Sequence, residues 1–466
     1  MTQLARWTLA RVRDALGLPG TAQSGANRRE AANGVDEPAF TRVLTDTRAI
    51  EPGALFVALV GERFDGHDYV DAAIAAGATG VVVCEGARVP AGVTSFHVPD
   101  TLRALGLLAR ARRREITGPV IGVTGTNGKT STKEMLAAVL GTRFRVYATR
   151  ANLNNLVGVP TPILEAPDDA DALVVEAGAN LPGEIARYRE ILEPSLVLIT
   201  NAVQGHLEGF GSLGGVVAEK VSLAEGVPLA IVGTDPPALA EEARRRAGAV
   251  RTAALERADL VPDRVELGPD ARPVLTFGDA RFTLAARGLH QAENATRVWA
   301  VVEALGLDRQ AAARSLERFA IPTGRGDLLE QGGLTILNDC YNANPQSFRA
   351  AIATARALRN GRRLVFIAGT MRELGKDSPA LHAEIAAALV ALDPDVLAAV
   401  GEFVAALAPY ADSLGDRLVT APDPTALGPL VAARLHGGEV VVLKASRGVA
   451  LERILPALTN RATPPR

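Results

Sequence analysis

The sequence is poor in cysteine and in aromatic residues, and it has no excess of either charge. Cys84 and Cys340 are the only two cysteines among 466 residues, which excludes a disulfide framework and a multi-cysteine metal site. Lys and Arg total 50 against 52 for Asp and Glu, so we expect no nucleic-acid partner, which would need a basic face. Aromatic residues make up 4%, and the hydrophobic cores are therefore expected to be aliphatic.

Long apolar runs are also missing. A membrane-spanning helix needs about 18 to 20 consecutive apolar residues, and no stretch approaches that length without Gly, Pro or a charged residue. Residues 1–17 carry charges every few positions and are not typical of a signal peptide. We therefore expect no membrane span and a cytoplasmic location.

The composition that is present predicts several folded domains. Apolar residues make up 48% and charged residues 22%, and a typical domain of about 150 residues predicts roughly three domains in this length. Short β-rich apolar runs, such as Val120–Thr124 and Val440–Leu443, alternate with helical patterns. This alternation predicts an α/β fold with parallel sheets that are covered by helices on both faces.

Two segments that contain Gly and Pro divide the chain. Thr117-Gly118-Pro119 follows a basic helical stretch, and Pro322-Thr323-Gly324 precedes a further series of strand–helix units. We expect an N-terminal α/β domain over 1–117, a central P-loop-type ATPase domain with a mostly parallel sheet over 118–321, and a Rossmann-like C-terminal domain over 322–466.

Residues 120–136 read VIGVTGTNGKTSTKEML, in which an apolar run enters a Gly-rich turn and then a helical pattern. Gly125 and Gly128 let backbone N–H groups approach phosphate oxygens, and the start of the helix adds its dipole. Lys129 can place a positive charge on the β- and γ-phosphates of ATP, and Thr130 can offer its hydroxyl to Mg²⁺. The strict pattern G-x-x-x-x-G-K-[ST] does not fit, because its first position is Val123. The segment predicts a relative of the common phosphate loop. The alternative is a tight strand–helix turn with an incidental lysine.

Four polar residues of the central block are further candidates. Glu176 ends an apolar run, where open α/β sheets bind ligands, and its alternative role is that of a helix cap or a surface carboxylate. His206 stands in a Gly-flanked loop, and a lone histidine is more often structural than a ligand. Lys220 lies in the helical stretch Val216–Glu225, and spacing alone favours a solvated lysine. Asn294 lies near the start of a predicted helix and has a helix-surface amide as its alternative.

The third block carries its own group of polar residues. Arg325 stands between two glycines and can reach a phosphate or stack on adenine, and Asp339 follows an apolar run. Tyr341-Asn342-Ala343-Asn344-Pro345 offers an aromatic ring, two amides and a rigid turn, which suits a polar dipeptide but is also compatible with a loop of Asx turns. Lys444 and Ser446 follow the run Val440–Leu443. We expect His67 and His382 to be structural.

The string TGTNGKTST resembles the Mur ligase family, and nearly the whole chain carries motifs in that family's order. They are TDTR (45–48), GALFVAL (53–59), DGH (65–67), RANLNNLVGVPTPIL (150–164), EAGANLPGEI (176–185), TNAVQGHLEGFGS (200–212), GLHQAEN (288–294), GRG (324–326), NDCYNANPQS (338–347), GTMRELG (369–375) and KASR (444–447). The sequence departs from the family pattern in four places: Cys340 stands where a Ser is usual, Gln291 where an Asn is common, Ala445 where a Gly is usual, and Asn338 where an acid is often seen.

The resemblance implies an ATP-dependent amide ligase of peptidoglycan precursor synthesis. Within the family, YNANP and GTMRELG are most similar to the last ligase of the pathway. The implied reaction joins D-alanyl-D-alanine to UDP-N-acetylmuramoyl-tripeptide through an acyl phosphate and gives ADP and phosphate. Another Mur-type or folylpolyglutamate-type ligase, or a nucleotide-binding protein without catalysis, remains an alternative. The identity of the tripeptide's third residue stays open.

The resemblance also assigns roles to residues. It implies Lys129, Glu176, His206 and Lys220 as catalytic residues, and two Mg²⁺ ions held by Thr130, Glu176, His206 and Lys220, the lysine being one that the family often carbamylates. The implied ATP-binding residues are Gly125, Thr126, Asn127, Gly128, Lys129, Thr130, Ser131, Asn294, Arg325 and Asp339. The implied substrate-binding residues are Asp46, Thr47 and Arg48 for the UDP part, Asn152, Asn154 and Asn155 for the muramoyl peptide, and Tyr341, Asn342, Asn344, Lys444 and Ser446 for the dipeptide. A monomer is expected.

Overall fold

The structure is a computed structural model that describes residues 7–19, 38–61, 64–149, 155–204 and 207–460. Asn152, Asn154 and His206, all expected at the site, lie outside the described residues. The chain divides into two compact units. The first contains the described residues of Met1–Gly122, Arg145–Ala179 and Glu184–Pro194, and the second those of Val123–Phe144, Asn180–Gly183 and Ser195–Arg466.

Strands and helices alternate along the chain as the sequence predicts, and they are numbered here in chain order. Up to residue 192 they are β1 (Trp7–Thr8), α1 (Leu9–Leu16), β2 (Pro38–Phe40), β3 (Val43–Leu44), β4 (Leu55–Val57), α2 (Val70–Ala75), β5 (Gly80–Cys84), β6 (Thr94–Val98), α3 (Thr101–Arg113), β7 (Val120–Thr124), α4 (Lys129–Leu140), β8 (Val146–Ala148), α5 (Pro160–Glu165), β9 (Ala172–Glu176) and α6 (Glu184–Leu192).

The same alternation continues to residue 316, except that four strands follow one another without an α-helix between them. The elements are β10 (Leu196–Ile199), α7 (Leu207–Phe210), α8 (Leu213–Val221), β11 (Leu229–Val232), α9 (Pro237–Arg244), β12 (Ala249–Thr252), β13 (Arg264–Leu267), β14 (Pro273–Phe277), β15 (Ala280–Thr283), α10 (Leu289–Ala304) and α11 (Arg309–Leu316).

The last part of the chain forms strand–helix units up to residue 459. The elements are β16 (Asp327–Gln331), β17 (Leu334–Asp339), α12 (Pro345–Arg359), β18 (Leu364–Ala368), α13 (Ser378–Ala391), β19 (Val396–Val400), α14 (Glu402–Leu407), α15 (Ala411–Leu414), β20 (Leu418–Ala421), α16 (Pro424–Ala432), β21 (Val440–Lys444) and α17 (Leu455–Thr459). No helix in the described part of the chain is long and apolar enough to cross a membrane.

In the first unit the sheets are small. Strands β3, β4, β5 and β6 lie side by side in that order and run parallel, β1 pairs antiparallel with β2, and β8 pairs parallel with β9. Phe56, Val81 and Val83 belong to one hydrophobic core cluster of this unit. A helix between two strands returns the chain to the same end of the sheet, which allows the parallel pairing of β4 with β5 across α2 and of β8 with β9 across α5.

In the second unit β10, β11 and β12 pair parallel. A three-stranded antiparallel sheet follows, in the order β13–β14–β15, and the sequence pattern did not predict it. The last sheet has the order β16–β17–β21–β18–β19–β20, and only its β16–β17 pair is antiparallel.

The last sheet buries both of its faces, as a doubly wound fold requires. Val440 and Val442 of β21 belong to one hydrophobic core, whereas Val441 and Leu443 belong to another. Alternate residues of a strand point to opposite faces, so two cores on one strand mean that helices cover both sides. The predicted α/β fold class and the Rossmann-like character of the last part are thereby confirmed.

Candidate functional site

The predicted phosphate loop follows β7 and precedes α4, and its residues 125–128 belong to the second unit. All five residues of β7 are buried, and the chain turns at residues 125–128 before the helix begins at Lys129. Gly128 is the N-cap of the helix with φ +81°, and no side chain caps the first turn. N–H groups at such a helix start are suited to binding phosphate oxygens.

Two positions in the loop require glycine. At Gly125 φ is +141°, and a Cβ there would lie 2.0 Å from Thr200 Oγ1 and 2.9 Å from the Asn201 carbonyl oxygen. At Gly128 a Cβ would lie 2.5 Å from Asn294 Oδ1. A side chain at either position would therefore both strain the backbone and displace a neighbour.

Lys129 bends back over the loop that precedes it. Its Nζ donates to the carbonyl oxygens of Gly125 at 2.8 Å and Thr126 at 3.0 Å. The ammonium group thus lies on the loop itself, where phosphate charge is expected. Thr130 and Ser131 follow it in the first helical turn, and both are buried.

The end of β10 holds the loop in place. The Thr126 N–H donates to the Asn201 carbonyl oxygen at 3.0 Å, and the Asn127 N–H donates to Asn201 Oδ1 at 3.0 Å. Thr200 Oγ1 donates to the Asn127 carbonyl oxygen at 2.6 Å. Thr200 and Asn201 were not predicted as residues of the candidate site, although both open the motif TNAVQGHLEGFGS directly after a strand.

The Asn127 side chain contacts the start of α12. Its Nδ2 donates to Asn344 Oδ1 at 3.2 Å and to Gln346 Oε1 at 2.7 Å, and its Oδ1 accepts from Asn344 Nδ2 at 2.7 Å. Gln346 Nε2 in turn donates to Asp235 Oδ2 at 2.7 Å. Burial, more than the nearby Glu293 charge, raises the pKa of Asp235 above its ordinary value. Neither Gln346 nor Asp235 was predicted from the sequence.

Helix α10 supports the loop from another direction. Asn294 is 3% exposed, so its alternative as a helix-surface amide is wrong. Its Nδ2 donates to Gln291 Oε1 at 3.1 Å, and its Oδ1 accepts from Arg297 Nη1 at 3.2 Å. Gln291 Nε2 reaches Ser131 Oγ at 3.3 Å. Arg297 is fully buried, which lowers the pKa of its guanidinium group, and sequence reasoning missed it.

The candidates of the third block lie together around the end of β17. Lys444 Nζ forms an ion pair with Asp339 Oδ2 at 2.6 Å and donates to the Asn342 carbonyl oxygen at 2.7 Å. Ser446 Oγ lies 3.5 Å from the Ala343 carbonyl oxygen.

A stack of two arginines and one tyrosine lies in the same block. The Arg325 guanidinium carbon is 3.9 Å from the centroid of the Tyr341 ring, and that of Arg447 is 5.5 Å away. The Gly324 N–H donates a hydrogen bond to Asp327 Oδ1. Burial of this carboxyl group raises the pKa of Asp327. Cationic groups over an aromatic face leave their N–H donors available for anionic ligands.

Lys220 and Glu176 are both buried. Lys220 is 1% exposed in α8, with its Nζ 5.4 Å from the centroid of the Phe210 ring, so the alternative of a solvated lysine is wrong. Glu176 ends β9 in the first unit and is also 1% exposed, which rules out a surface carboxylate. Within the described ranges no three His, Cys, Asp or Glu residues are grouped as metal ligands.

The remaining substrate candidates belong to the first unit. Arg48 forms an exposed ion pair with Asp46, with Nη2 at 2.6 Å from Oδ2, and its side-chain hydrogen bond is the main reason why the pKa of Asp46 falls to about 2. Thr47 lies between them at the start of a short 3₁₀ helix. Asn155 Oδ1 accepts from the Gly158 N–H at 2.6 Å.

The two histidines expected to be structural make local contacts. His67 Nε2 accepts from the Cys84 N–H, and His382 Nε2 accepts from the Met371 N–H, each at 2.9 Å. The other ring nitrogen of His382 lies 2.8 Å from the Ser378 carbonyl oxygen.

Comparison with known proteins matches three successive stretches of the chain. Residues 39–113 match the Mur ligase family catalytic domain, 123–302 the Mur ligase middle domain, and 324–447 the Mur ligase glutamate ligase domain. The chain is 32% identical over 430 residues to the UDP-N-acetylmuramoyl-tripeptide–D-alanyl-D-alanine ligase of Bacillus subtilis, covering 89% of this chain and 92% of that protein.

Solved structures agree with the sequence comparison. The crystal structure of MurF from Acinetobacter baumannii is similar with a TM-score of 0.84 and 29% identity, covering 98% of this chain and 99% of that one. MurF ligase from Thermotoga maritima in complex with ADP is similar with a TM-score of 0.77 and 28% identity, covering 90% of this chain and 97% of that one.

Proposed function

The chain belongs to the Mur ligase family and is an ATP-dependent ligase of peptidoglycan synthesis, and we propose how its own residues join D-alanyl-D-alanine to UDP-N-acetylmuramoyl-tripeptide. The observation that carries the proposal is the contact between Asn127 of the phosphate loop and Asn344 of the Tyr341–Pro345 segment. This contact links the loop suited to ATP with the segment suited to the dipeptide. A ligase needs both in one place.

The reaction follows from the chemistry of a carboxylate, which is a poor acyl donor because its leaving group would be oxide. A carboxylate oxygen of the tripeptide attacks the γ-phosphorus of ATP, and the bond to ADP breaks. The dipeptide's amine nitrogen then attacks the carbonyl carbon of the acyl phosphate, loses a proton, and expels phosphate. The protein contributes positioning and charge stabilisation.

The loop residues are assigned to the phosphates. We assign the backbone of Gly125, Thr126, Asn127 and Gly128, together with the start of α4, to the β- and γ-phosphate oxygens. Lys129, whose Nζ already lies on the loop carbonyls, supplies the compensating positive charge. Ser131, in contact with Gln291, supports the helix start.

Magnesium would neutralise charge on the phosphates when bound, and oxygen ligands suit it. The hydroxyl of Thr130 and the carboxylate of Glu176 are hard oxygen donors of this kind, and we assign them to two Mg²⁺ ions together with His206 and Lys220. Because an ammonium group cannot bind a cation, Lys220 serves this role only after carbamylation, which turns it into an oxygen donor. Its almost complete burial is compatible with a role away from solvent.

The nucleoside and the dipeptide are assigned to the last part of the chain and α10. We assign Asn294, Arg325 and Asp339 to the adenosine part of ATP. Tyr341, Asn342, Asn344, Lys444 and Ser446 are assigned to D-alanyl-D-alanine, and the Lys444–Asp339 ion pair joins the two groups.

The first unit is assigned to the UDP-linked substrate. We assign Asp46, Thr47 and Arg48 to the UDP part and Asn152, Asn154 and Asn155 to the muramoyl peptide. We also propose domain boundaries at 1–117, 118–321 and 322–466, a monomer, and a cytoplasmic site of action, where ATP and nucleotide sugars are available.

The experiment is an acceptor panel. Phosphate release from ATP is measured with UDP-N-acetylmuramoyl-tripeptide and either D-alanyl-D-alanine, free D-alanine, a diamino acid or no acceptor. We expect release that requires both the tripeptide and the dipeptide, and a new amide in the product by mass spectrometry. Release driven by a single amino acid would move the enzyme to another ligation step.

A further inference from the structure

A continuous chain of side-chain amides runs from the phosphate loop to Asp235. Asn344 Nδ2 donates to Asn127 Oδ1 at 2.7 Å, Asn127 Nδ2 donates to Gln346 Oε1 at 2.7 Å, and Gln346 Nε2 donates to Asp235 Oδ2 at 2.7 Å. Asn344 Oδ1 also accepts from the Ser347 N–H at 2.9 Å. All of these residues belong to the second unit.

At both ends of this amide chain, a hydrogen bond determines which side of the amide is the oxygen and which is the nitrogen. The Ser347 N–H can only donate, so it fixes which side of the Asn344 amide is the oxygen. At the other end, Asp235 Oδ2 accepts from Gln346 Nε2, and this hydrogen bond orients the Gln346 amide. Asn127 lies between them, and neither neighbour allows its amide to flip.

The elements on either side of the chain are anchored independently of Gln346. The Asn127 N–H is bound by Asn201 Oδ1, and its carbonyl oxygen by Thr200 Oγ1. Helix α12 is capped by its own Asn344–Ser347 capping box. The Gln346 bonds therefore add little to the folding of either element and instead fix how the loop and the helix start lie relative to each other.

We propose that Gln346 is a positioning residue that holds Asn127, and with it the phosphate loop, in register with the dipeptide segment Tyr341–Asn344. Asp235 fixes the orientation of Gln346. The inference rests on the proposed function, because it assigns the loop to ATP and the segment to the acceptor. Replacing Gln346 changes the KM for both ATP and D-alanyl-D-alanine, because the two ligands are assigned to opposite sides of the Asn127–Gln346 hydrogen bond.

The first test compares Gln346→Met with the control Gln310→Met. Gln310 Nε2 also donates to an aspartate, Asp279 Oδ2, at 3.4 Å, but Gln310 belongs to α11 and this partner lies outside the loop. Gln346→Met removes two partly exposed hydrogen bonds, so we expect about a tenfold rise in KM for both ATP and D-alanyl-D-alanine. The Tm of Gln346→Met should stay within about 2 °C of the parent. Gln310→Met should leave the KM for ATP and the KM for D-alanyl-D-alanine unchanged.

The second test exchanges donor and acceptor. Gln346→Glu places a second carboxylate against Asp235, and we expect a loss of more than about tenfold in kcat/KM. Asp235→Asn alone keeps an acceptor for Gln346 and should stay within about threefold of the parent. In the double variant the carboxylate introduced at position 346 can accept both from Asn127 and from the amide introduced at position 235. Its kcat/KM should therefore return to within about threefold of the parent.

Two results would overturn the inference. One is a lower Tm for Gln346→Met with the KM values for ATP and D-alanyl-D-alanine unchanged. The other is a double variant, Gln346→Glu with Asp235→Asn, that is no more active than Gln346→Glu alone. The affinity for a non-hydrolysable ATP analogue, measured by calorimetry on the same variants, separates this inference from the proposed function. A parent without dipeptide-dependent turnover contradicts the function. Equal analogue affinity in the parent and Gln346→Met contradicts the positioning role.

Discussion

Replacing Gly125 by alanine tests whether the loop conformation is what allows ATP to bind. Gly125 has φ +141°, which L residues rarely adopt, and the new Cβ would lie 2.0 Å from Thr200 Oγ1. The backbone strain costs about 1–3 kcal/mol, and forcing a methyl group into a filled space costs about 1–3 kcal/mol more. Moving Thr200 also breaks its hydrogen bond to the Asn127 carbonyl oxygen, worth about 1 kcal/mol.

These terms total about 3–7 kcal/mol, and the loop can relieve them only by leaving its present position. Each 1.4 kcal/mol changes a binding constant about tenfold. If about 3 kcal/mol is needed to bring the displaced loop back to the conformation that binds ATP, the affinity for an ATP analogue falls by at least about 100-fold. Titration calorimetry with a non-hydrolysable analogue measures this loss of affinity. A thermal melt measures the part of the cost that lowers the stability of the fold.

Gly226→Ala is the matched control. Gly226 also has a positive φ, +71°, but a Cβ there meets nothing within 4 Å. We expect it to lose about 1 kcal/mol of stability with unchanged analogue affinity. A Gly125→Ala variant that binds the analogue within about threefold of the parent, at an unchanged Tm, would refute the account of the loop.

Three further variants test other parts of the account. Lys129→Met removes the cation from the loop, and we expect kcat/KM for ATP to fall about 10²–10³-fold in steady-state phosphate release. Lys444→Met leaves the Asp339 carboxylate without its ion-pair partner and should cost about 1–3 kcal/mol in urea unfolding, whereas adding Asp339→Asn should recover stability but not activity. Glu193 is bound by Arg114 and Arg110, and the hydrogen bond from Arg114 is the main cause that lowers its pKa to about 2. This group stabilises the fold above its unfolded pKa of 4.5 and loses that contribution as pH falls toward 2. Glu193→Gln should therefore be less stable than the parent by about 1–2 kcal/mol at about pH 7, after allowance for solvent screening, with a gap that narrows below pH 4.5.

The strands of the parallel sheets were predictable because they are buried on both faces. Val120–Thr124 and Val440–Lys444 are entirely buried, and in each of them the residues before the last one form a continuous apolar run. The antiparallel sheet formed by Arg264–Leu267, Pro273–Phe277 and Ala280–Thr283 was missed because its strands are not continuous buried runs. Buried residues alternate with more exposed ones in Pro273–Phe277 and Ala280–Thr283, and Arg264–Leu267 has no buried residue. Such short alternating segments give a weak signal beside polar loops.

The strand–turn–helix conformation of the loop was predictable because its signals are local in sequence, with strand, glycines, lysine and helix in succession, and phosphate binding by the loop stays a prediction. Asn201, Gln346 and Asp235 were missed because their contacts join segments more than 70 residues apart. The burial of Lys220 had a usable signal. Val216 and Lys220 stand four residues apart and so share one face of α8, and both are buried.

We propose that this chain activates the tripeptide carboxylate with ATP before the dipeptide attacks it. The most direct measurement uses UDP-N-acetylmuramoyl-tripeptide with its reacting carboxylate labelled with ¹⁸O, together with ATP and D-alanyl-D-alanine. We expect one ¹⁸O atom in the released phosphate by mass spectrometry, because that oxygen bridges carbon and phosphorus in the acyl phosphate before the amine displaces the phosphate. Phosphate that forms together with the amide product but carries no label would show that the carboxylate is not phosphorylated before the amide forms.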